Sequence, residues 1–153
     1  MINVAIFLSG TGSNAINIIK YFSNHQRIKI NLIISNNSKS PIIPILVKKA
    51  IKYVVFSRKD FINGHVVLNE LEKNKISYIV LAGFLLRISS LIIDSFPNRI
   101  INVHPSLLPE FGGKGMYGMH VHNSVFKSKK NQTGITIHEV NQDYDKGRII
   151  FQA

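Results

Sequence analysis

Ile100, Ile101, Asn102, Val103, His104, Pro105, Ser106, Leu107, Leu108, Pro109 is a run that begins as a strand and ends as a loop. Ile100, Ile101 and Val103 suit a strand buried in a parallel sheet. Pro105 and Pro109 cannot donate to a central ladder, so they turn the chain out at the strand's carboxyl end. In open α/β sheets that end is where ligands bind. Asn102 and His104 stand two apart, so on an extended chain both side chains leave from one face, an amide donor beside a titratable imidazole. A donor for an oxyanion next to an acid–base group suits acyl transfer. The same pair also reads as a strand-end cap beside a hydrogen-bonded loop histidine, and the spacing alone leaves both readings open.

Outward from this strand, short apolar runs alternate with helical spacing. Asn3 to Leu8 reads as a buried strand, broken by Gly10 and Gly12 before a helix from about Asn14 with Ile16, Ile19 and Phe22 on its apolar face. Lys29 to Ser35 is a second strand, closed by Asn36, Asn37 and Ser38. A helix from about Pro41 to Ala50, a strand at Tyr53 to Phe56, and a helix capped near Asp60 and running past Gly64 to Leu68, Leu71 and Glu72 follow. Tyr78 to Ala82 is a strand and Ser89 to Ser95 a short helix. This alternation predicts an α/β, Rossmann-like fold: a mostly parallel sheet with helices on both faces. Beyond Pro109, the glycines Gly112, Gly113, Gly115 and Gly118 mark a long flexible loop. A helix at His120 to Phe126, a strand at Thr133 to Val140 and the start of another at Arg148 to Phe151 come after it. Alternation sets His138 on the polar side of its strand with Thr136 and Gly134, a side expected to be solvated.

The 153 residues suit one domain with a core of its own. The absence of cysteine excludes disulfides, thiolate metal sites and a thiol nucleophile, and agrees with a reducing, cytoplasmic setting. Ile2 to Leu8 is too short for a signal peptide's apolar region and no run approaches a membrane span, so a soluble protein without membrane contact is expected. Nineteen Lys and Arg against 8 Asp and Glu make the net charge +11. These cations are scattered apart from Lys127, Lys129 and Lys130, where no stacking aromatics interleave, so an anionic small molecule is favoured over nucleic acid. His120 and His122 are spaced i, i+2 and no zinc signature is present, so no metal is expected.

Gly10, Thr11, Gly12, Ser13, Asn14, Ala15 matches the G-x-G-x-x-A form of a dinucleotide fingerprint. The acid that would hold a ribose at the end of the second strand is missing, with Ser35, Asn36 and Asn37 in its place. A glycine loop facing a helix N-terminus still suits a single phosphate, or is a turn with no ligand. Asp145, in Asp143, Tyr144, Asp145, Lys146, Gly147, reads by itself as turn chemistry.

Taken together, Asn102 to Pro109, the preceding Leu81, Ala82, Gly83, Phe84, the later Asp145 to Gly147 and the opening Ser9 to Asn14 resemble the folate-dependent formyltransferases, specifically the purine-synthesis branch. The resemblance implies transfer of a formyl group from 10-formyltetrahydrofolate to the amine of glycinamide ribonucleotide, with no metal and no covalent enzyme intermediate. It implies that Asn102, His104 and Asp145 are catalytic: the amide stabilises the oxyanion, and the carboxylate, chosen over Asp143 by its register with Gly147, keeps the imidazole charged as a general acid. It implies that Gly12, Ser13 and Asn14 bind the ribonucleotide's phosphate end. Leu85, Leu86, Arg87 and Ile88, together with Asn102 and His138, would line the folate site, the first four largely through backbone contacts. The alternatives are a methionyl-tRNA formyltransferase, a formyltetrahydrofolate hydrolase, or a related domain that binds without turnover. Two positions depart from the family pattern: Leu86 stands where an arginine is usual, with Arg87 displaced by one, and an upstream folate-contacting arginine falls near Gly64. The family continues past the position of Ala153 with a strand and a closing helix, so the resemblance implies a short catalytic domain over 1–153. Ile149, Ile150 and Phe151 would be uncovered, stability marginal and activity low.

Overall fold

The computed structural model describes residues 1–153. In chain order its elements are β1 (Ile2–Leu8), α1 (Ser13–Phe22), β2 (Ile28–Ser35), α2 (Ile43–Lys48), β3 (Tyr53–Val55), α3 (Arg58–Asn63), α4 (His65–Lys73), β4 (Tyr78–Leu81), α5 (Ser90–Ser95), β5 (Ile100–His104), α6 (Met119–Lys127), β6 (Thr136–Glu139) and β7 (Ile149–Gln152). The strands form one sheet in the order β3-β2-β1-β4-β5-β6-β7. From β3 to β5 the pairing is parallel, and β6 and β7 join antiparallel. The chain leaves β1 toward β2 on one side and returns to β4 on the other. The order of strands therefore reverses between β1 and β4, and a crevice opens at their carboxyl ends.

Both faces of the parallel part are covered, as the β-α-β alternation predicts. On one face Ala5, Phe7, Leu32, Ile34, Ile79 and Leu81 pack with Phe61, Val67, Leu71 and Ile92 from α3, α4 and α5. On the other, Ile6, Leu8 and Ile33 pack with Ala15, Ile42 and Leu46. The rings of Phe7, Phe61 and Phe84 meet edge-on or tilted with centroids 4.8–5.8 Å apart. Phe84 belongs to the loop after β4, so burying its ring anchors that loop to the core next to the crevice.

Three sequence expectations change. The helix expected to run through Gly64 is two helices, because Gly64 takes a left-handed conformation (φ 82°) that ends α3 and starts α4. Its cap is Ser57, with Asp60 completing a capping box from the third helical position. The face of β6 expected to be solvated is buried: Thr136 is 0% and His138 2% exposed, whereas Ile135 just before the strand is 41% exposed. Period-2 alternation separates two faces without saying which one meets solvent, and the polar face of β6 meets the chain that leaves β5. At the edge, Ile149, Ile150 and Phe151 of β7 are exposed.

Candidate active site

The register of the β5–β6 pair brings the key side chains together. Asn102 lies opposite His138 and His104 opposite Thr136, so same-face side chains of the two strands are neighbours. Thr136 secures the chain leaving β5: its Oγ1 accepts the Leu108 N–H and donates to the Ser106 carbonyl, and Gln152 of β7 reaches both Thr136 and the Leu108 carbonyl. His104 therefore ends a strand whose exit is fixed by a buried hydrogen-bond network.

The tautomers follow from the backbone acceptors. A carbonyl only accepts, so at 2.9 Å the His104 Nε2 carries the hydrogen donated to the Phe111 carbonyl, which leaves Nδ1 toward Asp145. By the same logic His138 donates from Nδ1 to the Glu139 carbonyl at 2.7 Å. When that ring is neutral, its Nε2 accepts an Asn102 amide hydrogen at 3.1 Å, fixing the amide plane and leaving a second N–H.

Asp145 arrives from the loop between β6 and β7, in a left-handed conformation (φ 54°) that aspartate tolerates better than most residues. Its Oδ1 lies 3.7 Å from His104 Nδ1 and 3.5 Å from both His138 Nε2 and Asn102 Nδ2, while Oδ2 accepts the Gly113 N–H at 2.8 Å. The Oδ1 separations exceed the roughly 2.7–2.9 Å of a tight charge-assisted bond. They mark a carboxylate poised among three partners rather than committed to one. Burial by itself raises the Asp145 carboxyl, but the His138 contact, the Gly113 amide and the positive potential of the two imidazoles outweigh it, and the group is held below the ordinary aspartate value. Asp145 is thus an anion at neutral pH.

These residues line a cavity of about 400 Å³ at the carboxyl ends of β4 and β5. Leu85, Leu86, Arg87 and Ile88 form one wall, and the loop Asn141 to Asp145 faces them. The first wall is tied to β1 by Ser9, whose N–H donates to the Gly83 carbonyl and whose Oγ accepts the Leu85 N–H. Of the glycine-loop residues, Asn14 lines the cavity, whereas Gly12 and Ser13 stand beside it. Gly12 is buried with φ 81°, and a Cβ there would meet Ile42 Cδ1 at 2.7 Å. Gly12→Val is therefore expected to destabilise the fold by roughly 1–3 kcal/mol through strain and overpacking. Thermal melts check this, and an unchanged midpoint would show that the turn tolerates a side chain. No group of three or more His, Cys, Asp or Glu residues stands close enough to hold a metal, and no helix is long and apolar enough to cross a membrane.

Sequence patterns gave no role in this site to Thr136, the Phe111 carbonyl or the Gly113 amide, and named Ser9 only as the first residue of the resembling run. Phe111 and Gly113 act through backbone atoms that any residue supplies, Thr136 through its hydroxyl on the chain leaving β5, and Ser9 by joining the loop after β1 to the loop after β4.

The formyl transferase family model matches residues 2–153. A chloroplastic phosphoribosylglycinamide formyltransferase of Arabidopsis thaliana is 36% identical over 159 residues, a match covering 98% of this chain and 53% of that protein. A phosphoribosylglycinamide formyltransferase of Haemophilus influenzae is 31% identical over 158 residues, covering 100% of this chain and 72% of that one. The crystal structure of the Anaplasma phagocytophilum phosphoribosylglycinamide formyltransferase superposes with a TM-score of 0.87 at 31% identity, covering 99% of this chain and 70% of that chain. The chain spans about half the length of the chloroplast relatives it matches.

Proposed function

Because this chain belongs to the formyl transferase family, we propose that it transfers a formyl group from 10-formyltetrahydrofolate to the primary amine of glycinamide ribonucleotide, a step of purine synthesis. The observation that carries this reading is the convergence of Asn102, His104 and Asp145 at the mouth of one cavity on a fold with this ancestry. The substrate amine attacks the formyl carbon, forming a C–N bond and a tetrahedral oxyanion. The Asn102 N–H that makes only a long 3.5 Å contact with Asp145 Oδ1, together with a proton on His104 Nδ1, would turn to that oxygen. The C–N bond to the folate then breaks, the folate nitrogen gains a proton and the new amide nitrogen loses one. His104, held by the Phe111 carbonyl and Asp145, is placed to relay the proton between them. Positioning contributes the rest, since two substrates fixed in one cavity react as though unimolecular.

Folate would lie between the Leu85 to Ile88 wall and the Asn141 to Asp145 loop, with Asn102 and His138 at its reacting end. The ribonucleotide would place its phosphate at the helix start formed by Gly12, Ser13 and Asn14. Both substrates are anions, in keeping with the net charge of +11, and the cytoplasm is the proposed setting. The test is an assay of this chain with both substrates. Tetrahydrofolate release that requires glycinamide ribonucleotide supports the reading; formate release without the amine would indicate a hydrolase, and formylation only of charged tRNA would indicate the tRNA enzyme. The phosphate assignment is checked separately. Ser13→Ala is expected to raise KM for the ribonucleotide roughly three- to tenfold, the scale of about one hydrogen bond, while leaving KM for folate unchanged. Equal changes in both would remove Ser13 from the phosphate site.

A further inference from the structure

We propose that Arg87 is a positioning residue that acts on the reaction through Asp145, by latching the loop on which Asp145 rides. This rests on the formyl-transfer reading of the site. The loop from Asn141 to Tyr144 is exposed and buries no apolar side chain to hold it in place. Its internal order is an Asx turn, with the Asp143 N–H donating to Asn141 Oδ1 at 3.0 Å. What fixes it against the rest of the molecule is polar. Arg87 Nη2 donates to the Gln142 carbonyl at 2.9 Å, and the guanidinium carbon sits 5.7 Å from the centroid of the Tyr144 ring. Gln142 reaches α5 in turn, with Nε2 donating to Asp94 Oδ1 at 3.2 Å.

The geometry makes Arg87 the main grip on this loop from the opposite wall of the cavity. Its planar fork serves one backbone carbonyl while its face covers an aromatic ring, a pairing that lysine cannot reproduce. Asp145 follows Tyr144 directly, and from there one carboxylate oxygen faces His104 and His138 and the other takes the Gly113 amide. A shift of the loop by about 1 Å, of the kind that costs orders of magnitude when it misplaces a reacting group, would move that carboxylate away from both. Arg87 thus sets the Asp145 geometry without touching the reacting atoms.

Two measurements test this. In turnover, Arg87→Ala is expected to lower kcat roughly tenfold with less than about a threefold rise in KM for folate. In an Asp145→Ala background the same change is expected to cost less than about twofold, because residues acting through one another are not additive. Arg87→Lys recovers part of the loss and Tyr144→Phe, which keeps the ring, recovers nearly all relative to Tyr144→Ala. A large rise in folate KM at unchanged kcat would mean that Arg87 contacts folate directly and would overturn the inference, as would a full tenfold cost in the Asp145→Ala background. The second measurement needs no turnover: amide hydrogen exchange at Gly113 should quicken several-fold in Arg87→Ala while the Ile6 amide in β1 is unchanged. Unchanged exchange at Gly113 overturns the latch. A wild-type chain that transfers no formyl group would count against the function, and the exchange experiment would still decide the latch.

Discussion

Replacing either Asn102 or His104 with alanine is expected to lower kcat by about a hundredfold or more, the scale for removing an oxyanion donor or a general acid. Substrate affinity should change much less, because both groups do most of their work on charge that appears only as the tetrahedral intermediate forms. The two variants should differ in a diagnostic way. Asn102→Ala also removes the amide that His138 Nε2 contacts at 3.1 Å, leaving that nitrogen without its donor beside Asp145 Oδ1 at 3.5 Å. His104→Ala leaves the Asn102–His138 pair in place but strands the Phe111 carbonyl, which then keeps only the long Ser106 Oγ contact at 3.5 Å. Single-turnover kinetics on folded variants would show both losses in the chemical step. Near wild-type turnover by either one would remove the chemistry from this stretch.

Asp145→Asn is the second large effect, again about a hundredfold or more in kcat, since a neutral amide there removes the anionic oxygen that faces His104 Nδ1 at 3.7 Å and orients it. It also has a signature in stability. The Asp145 carboxyl is held below its ordinary value in the fold, and a group depressed on folding stabilises the native state above its unfolded pKa of about 3.9. That contribution is lost as pH falls through the folded value. The stability difference between wild type and Asp145→Asn should therefore be constant near neutrality and shrink below about pH 4. Urea titrations over that range measure it, and a difference independent of pH would mean that the carboxylate is not held by its neighbours.

Much of the architecture was legible because it depends on local pattern. The apolar runs of β1, β2 and β4 and the prolines that end β5 are one-dimensional signals, and Asn102 and His104 share a face because strands have a period of two. What stayed hidden depends on position in three dimensions. The left-handed Gly64 divides a helix whose side-chain pattern continues across it. The polar face of β6 turns inward because β5 pairs antiparallel with it and presents Asn102, which no property of Thr136 or His138 by themselves reveals. The expectation that Asp145 stands beside His104 came from likeness to a family, whose register with Gly147 favoured it over Asp143; by itself Asp145 read as turn chemistry. Arg87 lies on the cavity wall, but its bond to the Gln142 carbonyl joins two loops 55 residues apart in sequence, a distance across which pattern carries no information.

The central place of β1 in the sheet also shapes how the chain reaches this structure. Its first partner, β2, follows after the single crossover through α1, but its second, β4, pairs Val4 with Tyr78 and so is synthesised about seventy residues later. At the usual pace of roughly 5–20 residues per second, translation leaves the apolar edge Val4 to Leu8 unpaired on one side for several seconds. An open, flat edge of that kind is a template for pairing with another nascent chain. The strand that joins the two halves of the parallel sheet is therefore also a segment exposed to misassembly during synthesis, and chaperone dependence should be set by how quickly Tyr78 to Leu81 arrives to close it.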